Sequence, residues 1–197
     1  MRVILIGTVL LLIPALWTSE SVSHSQTSDD AEQIAPSLEP YVQQAKEAIS
    51  SLQTALVKTL TNELKKSGPA GAIHVCRDEA QVITERVAEE KAIAVGRTSH
   101  RLRNPVNTPR DWAEFFVQEG AGKKASEVEP HVVDLGDRVG LLLPINTLDL
   151  CTNCHGEDKH LAPEVKEVLD EAYPTDRAVD FAAGDLRGWM WAEVPKN

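Results

Sequence analysis

Five consecutive residues, Cys151 to His155, have the types and spacing that most clearly indicate a chemical function in this chain of 197 residues. They read Cys-Thr-Asn-Cys-His, the spacing at which two thiols can each form a thioether to one vinyl group of a haem. The histidine that follows directly is then held under the iron as an axial ligand. The motif therefore predicts one covalently attached c-type haem, carried on a loop.

The same residue types allow two other interpretations. Cys76, the third cysteine of the chain, could join Cys151, Cys154 and His155 in a zinc site of three thiolates and one imidazole. A redox dithiol would use Cys151 and Cys154 but would not need the histidine. The adjacent His155 thus favours haem over a dithiol.

A second axial ligand would set the reduction potential of the iron. Cys76 is the thiol without a role once Cys151 and Cys154 hold the haem, although a free cysteine can also pack as a small apolar residue. A thiolate is an anionic donor, which would stabilise ferric iron and lower the reduction potential. His100 is the strongest histidine alternative. The other candidates are His74, His131, His160 and Met190.

Haem propionates need cationic partners, and Arg97, Arg101 and Arg103 lie on one short segment. A guanidinium can bind a carboxylate through two parallel hydrogen bonds, so Arg97 and Arg103 are candidate haem-binding residues. Pairing with local acids is the alternative. We expect Arg187 to be a turn residue. Aromatic residues that could form the haem wall, the core, or both are Trp112, Phe115, Phe116 and Trp189.

The net charge of the chain is -10 at pH 7, and haem propionates would make it more negative. Such a surface argues against binding nucleic acid, whose phosphates would be repelled. It would suit a basic redox or signalling protein. Hydrophobic residues make up 42% of the sequence, enough to bury a core without disulfides.

The N-terminus has the pattern of an export signal. Met1 and Arg2 precede an uncharged run, and small residues follow at the spacing that signal peptidase recognises. We expect residues 1–23 to be a cleaved signal peptide, 24–36 a flexible leader and 37–197 a single haem domain. An uncleaved anchor is the alternative, although a spanning helix needs roughly 20 apolar residues. The predicted location is the periplasm.

A long helix is predicted from Ser37, with Gly68 and Pro69 ending it. Its apolar residues recur at helical spacing, which indicates core packing, or a homodimer formed through the exposed half of the helix. The residues of this stripe are Val42, Ala45, Ile49, Leu52, Leu56, Leu60 and Leu64.

The rest of the chain mixes helical and strand patterns, which predicts an α+β fold. Residues 123–137 have no clear pattern. Predicted helices cover residues 69–76, 78–90, 110–119 and 163–171, and predicted strands cover 92–95, 139–145 and 188–194.

Several short motifs, in this order, resemble a family of exported single-haem c-type proteins with a PAS-like domain, long described as a domain of unknown function. The resemblance covers about Tyr41 to Val194. It implies a PAS-like sheet with a long N-terminal helix, a covalent haem and a role in electron transfer or sensing. It also points to Cys76 as the second axial ligand. The motifs span 72–76, 96–99, 103–107, 143–145, 151–156, 173–174, 176–179 and 184–188.

Three functions remain open at this point. An electron carrier would keep the iron bound by His155 and Cys76 throughout the redox cycle. A redox or gas sensor would release Cys76 on reduction and signal through a partner. A peroxidase-like enzyme would need an acid-base group near an open coordination site, for which His100 is the one weak candidate. We expect a carrier and no enzyme.

Overall fold

The computed structural model describes residues 37–196. The expected signal peptide (1–23) and leader (24–36) lie outside the described residues. Among residues 37–196, no helix is both long and apolar enough to cross a membrane.

The centre of the fold is an antiparallel sheet of four strands in the order β1-β4-β3-β2. The strands are β1 (Ala94–Thr98), β2 (His131–Asp134), β3 (Arg138–Asn146) and β4 (Leu186–Pro195). Residues on β4 alternate between two packed faces, because successive side chains of a strand point to opposite sides. The α+β class predicted from the sequence is confirmed, and β2 lies in the region left without a pattern.

Two helices cover one face of the sheet: α1 (Glu39–His74) and α2 (Ala80–Lys91). The first half of the predicted apolar stripe on α1 is buried there, with Ile49 and Leu52 almost inaccessible to solvent. They pack against Leu141 and Met190 from the two central strands. Because Leu60 and Leu64 are only half-buried, dimerisation through α1 stays a prediction.

The helical geometry of α1 is broken at Gly68, where φ is +68° and ψ is -174°. Pro69 follows and begins a new helical segment, since proline is favoured in a first turn. The break lies where the sequence predicted it. The segment after the break continues into a π-helical turn, Val75–Glu79, which carries Cys76.

The other face of the sheet is covered by the short helix α3 (Glu114–Glu119) and the turn before it. Trp112, Phe116 and Trp189 pack together there with Leu142. Phe115 is 70% exposed. These four aromatic residues are therefore core or surface residues on the face away from α1. Two further helices, α4 (Thr152–His155) and α5 (Pro163–Ala172), connect β3 to β4.

Candidate functional site

The Cys-Thr-Asn-Cys-His motif is helical, whereas the sequence predicted a loop. A 3-10 turn, Asp149–Cys151, leads directly into α4. Residues three and four positions apart share one face of a helix, so Cys151, Cys154 and His155 face the same side. This is the arrangement in which two thiols and one imidazole can reach a single planar group.

Gly156 ends α4 because of a close approach. A Cβ atom at this position would lie 2.5 Å from the carbonyl oxygen of Thr152. The backbone N–H of Gly156 donates to that same oxygen, at 2.9 Å. Only glycine lets the chain leave the motif along this path.

His155 is held by a backbone carbonyl. Its Nδ1 lies 2.7 Å from the carbonyl oxygen of Ala178. A carbonyl can only accept, so Nδ1 carries the hydrogen and Nε2 keeps its lone pair. Burial lowers the pKa of His155 well below its usual value, and the charges of Arg187 and Arg103 lower it further. The imidazole is therefore neutral and able to ligate a metal at neutral pH.

The segment after the helix break places Cys76 near the motif. Ile73 from this segment packs with Tyr173, Val165 and Cys154 in one apolar cluster. Burial, together with a smaller contribution from the Cys76 thiolate, raises the pKa of Cys154 to about 11. The thiols of Cys76 and Cys154, far apart in sequence, thus lie near one another.

Four guanidinium groups meet beside the motif. Arg97, Arg101 and Arg103 all lie close enough to Arg187 to shift its pKa. Within residues 37–196, only Arg103 of the four forms an ion pair, with Asp176 at 2.8 Å. The site therefore has an excess of positive charge in a protein whose net charge is -10.

Arg187 is part of this site, although the sequence predicted a turn residue. In the pairing of β3 with β4, Ile145 opposes Gly188 and Asn146 opposes Leu186, which leaves Arg187 without a partner. Such a bulge redirects a side chain. Burial lowers the pKa of Arg187 to about 9, and its Nε is buried with no hydrogen-bond partner.

Phe181 is a further site residue that sequence reasoning missed. Its ring is buried and lies edge-on to His155, with 6.5 Å between ring centroids. The guanidinium of Arg101 stacks over the same ring at 3.9 Å, and that of Arg187 lies 5.0 Å from it. Phe181 is the one aromatic residue of a short segment without helical or strand periodicity, so no pattern predicts this contact.

The remaining candidate ligands lie elsewhere. His74 and His160 are exposed, and Met190 is buried in the core under α1. The ring of His131 stacks on that of Phe116, with 4.2 Å between ring centroids.

The ring of His100 lies 5.9 Å from that of Phe181, the same ring that His155 meets edge-on. Within the described part of the chain, no three His, Cys, Asp or Glu side chains are grouped as a metal site would require.

Two comparisons with known proteins identify relatives of the chain. A solved structure, described as that of the cyanobacterial heme-protein Tll0287, matches 83% of this chain and 98% of its own. The TM-score is 0.61 and the sequence identity is 19%, so this likeness concerns the fold, which is the PAS-like α+β fold that the motifs implied. No curated protein matches the chain. The profile of the Tll0287-like family matches residues 20–195, and the chain belongs to that family.

Proposed function

We propose that the protein is an exported cytochrome with one c-type haem, and that it transfers electrons. The observation that carries this proposal is the shared face of Cys151, Cys154 and His155 on α4 and the turn that leads into it, with the histidine fixed by the Ala178 carbonyl. The two cysteines would hold the haem through thioethers, and Nε2 of His155 would bind the iron. The solved relative is itself described as a haem protein.

The charge of the site fits a haem, which carries two carboxylates. Arg97 has no carboxylate partner within residues 37–196, and the buried Nε of Arg187 has no partner of any kind there. The guanidinium of Arg103, by contrast, is engaged with Asp176. We therefore assign the haem carboxylates to Arg97 and Arg187 rather than to Arg103.

Cys76 is the proposed ligand on the other side of the iron. Burial lowers the pKa of Arg97 and raises that of Cys154, and a Cys76 thiolate acts to raise both pKa values, which supports a position close to both. It lies in a π-helical turn, and such turns occur frequently at functional sites. When bound, the haem would supply one-electron chemistry at an iron that an anionic sulfur keeps at low potential.

Visible spectra of the ferric and ferrous protein test this proposal. We expect the α-band of haem c in the ferrous wild type, and a changed ferric spectrum in Cys76→Ala. The midpoint potential of the variant should rise by on the order of 100 mV, because an anionic ligand is lost. His100→Ala is the matched control and should leave the ferric spectrum unchanged. A missing α-band rejects the haem, and an unchanged spectrum of Cys76→Ala rejects the sulfur ligand.

A sensor is the second candidate, and the π-helical turn favours it. This turn joins the end of α1 to α2, so release of Cys76 would act on both helices that cover the sheet. Carbon monoxide distinguishes the two functions. Ready binding to the ferrous wild type would favour sensing, whereas a six-coordinate iron that excludes the gas favours a carrier.

Three further statements, on enzymatic activity, partner and location, complete the proposal. His100, the one acid-base candidate from the sequence, contacts the ring of Phe181 edge-on, and we propose a carrier without enzymatic activity. The acidic surface suits a basic protein partner. The periplasm is the proposed location.

A further inference from the structure

An ion pair beside the motif reaches the axial histidine through the backbone. Asp176 accepts two hydrogen bonds, from the Ala178 backbone N–H at 2.7 Å and from Nε of Arg103 at 2.8 Å. Nη2 of Arg103 donates to the Cys154 carbonyl at 2.5 Å and to the Ala178 carbonyl at 3.3 Å. The Ala178 carbonyl is the group that holds Nδ1 of His155.

The pair ties two chain segments together. One is α4, whose Cys154 carbonyl accepts from Arg103, and the other is the segment 176–181. Backbone hydrogen bonds continue this contact: Asp180 donates to the Gly156 carbonyl at 2.8 Å and Phe181 to the His155 carbonyl at 2.9 Å. The imidazole of His155 is thus held between α4 and the segment 176–181, and the ion pair fixes the distance between the two.

Stability alone does not account for this pair. The side chains of Arg103 and Asp176 are only 8% and 12% exposed. Removing two charges from water costs several kcal/mol per ion, and a buried pair often contributes little net stability. The hydrogen bonds of Arg103 nevertheless end on the carbonyls of Cys154 and Ala178, on either side of His155. The pair therefore fixes the surroundings of this histidine.

We propose that Arg103 and Asp176 are positioning residues for His155, and that they set its orientation and its donor strength toward the iron. The proposal rests on the function above, since it needs His155 as an iron ligand. A metal-bound histidine is tuned by the partner of its second nitrogen, and here that partner is a carbonyl fixed by the ion pair. Neither residue has to touch the haem.

Paired substitutions separate positioning from simple charge. Asp176→Asn removes a negative charge and Arg103→Gln a positive one, so a pure charge effect moves the midpoint potential in opposite directions. Loss of positioning instead gives both variants the same result: shifted and broadened g values of the ferric haem in electron paramagnetic resonance. These values respond to the orientation of the axial imidazole.

Arg103→Lys serves as a second variant that keeps the charge. A lysine ammonium cannot reproduce the fork that bonds a carboxylate and two carbonyls. We expect it to show the altered g values of Arg103→Gln although the charge is kept. Arg177→Gln, an exposed neighbour of Asp176, is the matched control and should leave both unchanged.

The possible failures are distinguishable. A wild type without haem absorption overturns the proposed function and this inference with it. A wild type with haem, combined with g values that stay the same in Asp176→Asn, Arg103→Gln and Arg103→Lys, overturns the inference alone. Thermal unfolding of each variant verifies that the haem domain is folded.

Discussion

Arg187 is the residue whose environment depends most on a bound anion. Its guanidinium donates to the hydroxyl of Ser99 at 3.2 Å and to the Arg101 carbonyl at 3.4 Å, while its Nε has no partner. A buried donor left without a partner costs roughly 1–3 kcal/mol. A haem carboxylate at this position would remove that cost.

We expect Arg187→Gln to lower the midpoint potential of the haem by on the order of tens of millivolts. The reason is that a positive charge near the iron disfavours the ferric state, and the variant removes it. A redox titration followed in the visible spectrum measures the change. Arg177→Gln removes an equal but exposed charge and should leave the midpoint potential unchanged. An unchanged potential in Arg187→Gln would contradict the assignment.

The site residues differ in how far the sequence reveals them. Cys151, Cys154 and His155 follow from their spacing alone, because one helical turn brings them together. The position of Arg187 in the site becomes apparent only from the register of β3 and β4, because a bulge redirects its side chain. The Ala178 carbonyl has no side-chain signal at all, because any residue type supplies a carbonyl.

At the scale of elements, the buried carboxylate of Glu193 links strands β3 and β4 to the segment that precedes α3. Glu193 on β4 is 3% exposed and accepts hydrogen bonds from Arg110 at 2.7 Å, Trp112 at 2.8 Å and Arg138 at 3.2 Å. Burial alone would raise the pKa of Glu193, but the bonds from Arg110 and Trp112 outweigh it and hold the pKa below its usual value.

Glu193→Gln should lower the free energy of unfolding by about 2 kcal/mol at neutral pH, the usual scale for charged hydrogen bonds. A carboxyl with a lowered pKa in the folded state stabilises above its unfolded pKa and ceases to do so as pH falls through the folded value. The difference between wild type and variant should therefore shrink below about pH 4.5. Urea denaturation at several pH values measures it.

Asp137→Asn is the control for this prediction, because Asp137 forms an exposed ion pair with Arg138. Such pairs contribute little, so we expect almost no change in stability. A loss in Glu193→Gln that stays constant down to pH 3 would mean that packing, and not the charge, is responsible.

Regular elements were predictable where a periodic pattern was long. The buried strand β3 and the alternating strand β4 follow from their side chains, and the break at Gly68 follows from the Gly-Pro pair. The edge strand β2 was not predicted, since its four residues lie in a charged stretch that shows no clear pattern. The helix expected at residues 110–119 begins later, at Glu114, because a turn precedes it.

At the scale of the whole molecule, charge is divided between surface and site. The chain has ten more acidic than basic residues, yet Arg97, Arg101, Arg103 and Arg187 meet beside the motif with Asp176 as the one carboxylate paired to them among residues 37–196. Bound haem would supply the missing negative charge. In the protein without haem, repulsion among these four guanidinium groups should therefore lower the free energy of unfolding.

We expect the haem-free protein, obtained as the Cys151→Ala/Cys154→Ala variant, to be stabilised by sulfate more than by chloride at equal ionic strength. An anion that binds only the folded state raises the melting temperature, because at concentration c it stabilises that state by RT ln(1 + c/Kd). Sulfate also stabilises proteins in general by exclusion from their surface. The haem-loaded wild type corrects for that effect, and its gain from sulfate should be smaller. Adding Arg187→Gln to the haem-free variant should remove most of the excess gain, whereas an equal gain in all three proteins would mean that the cluster binds no anion.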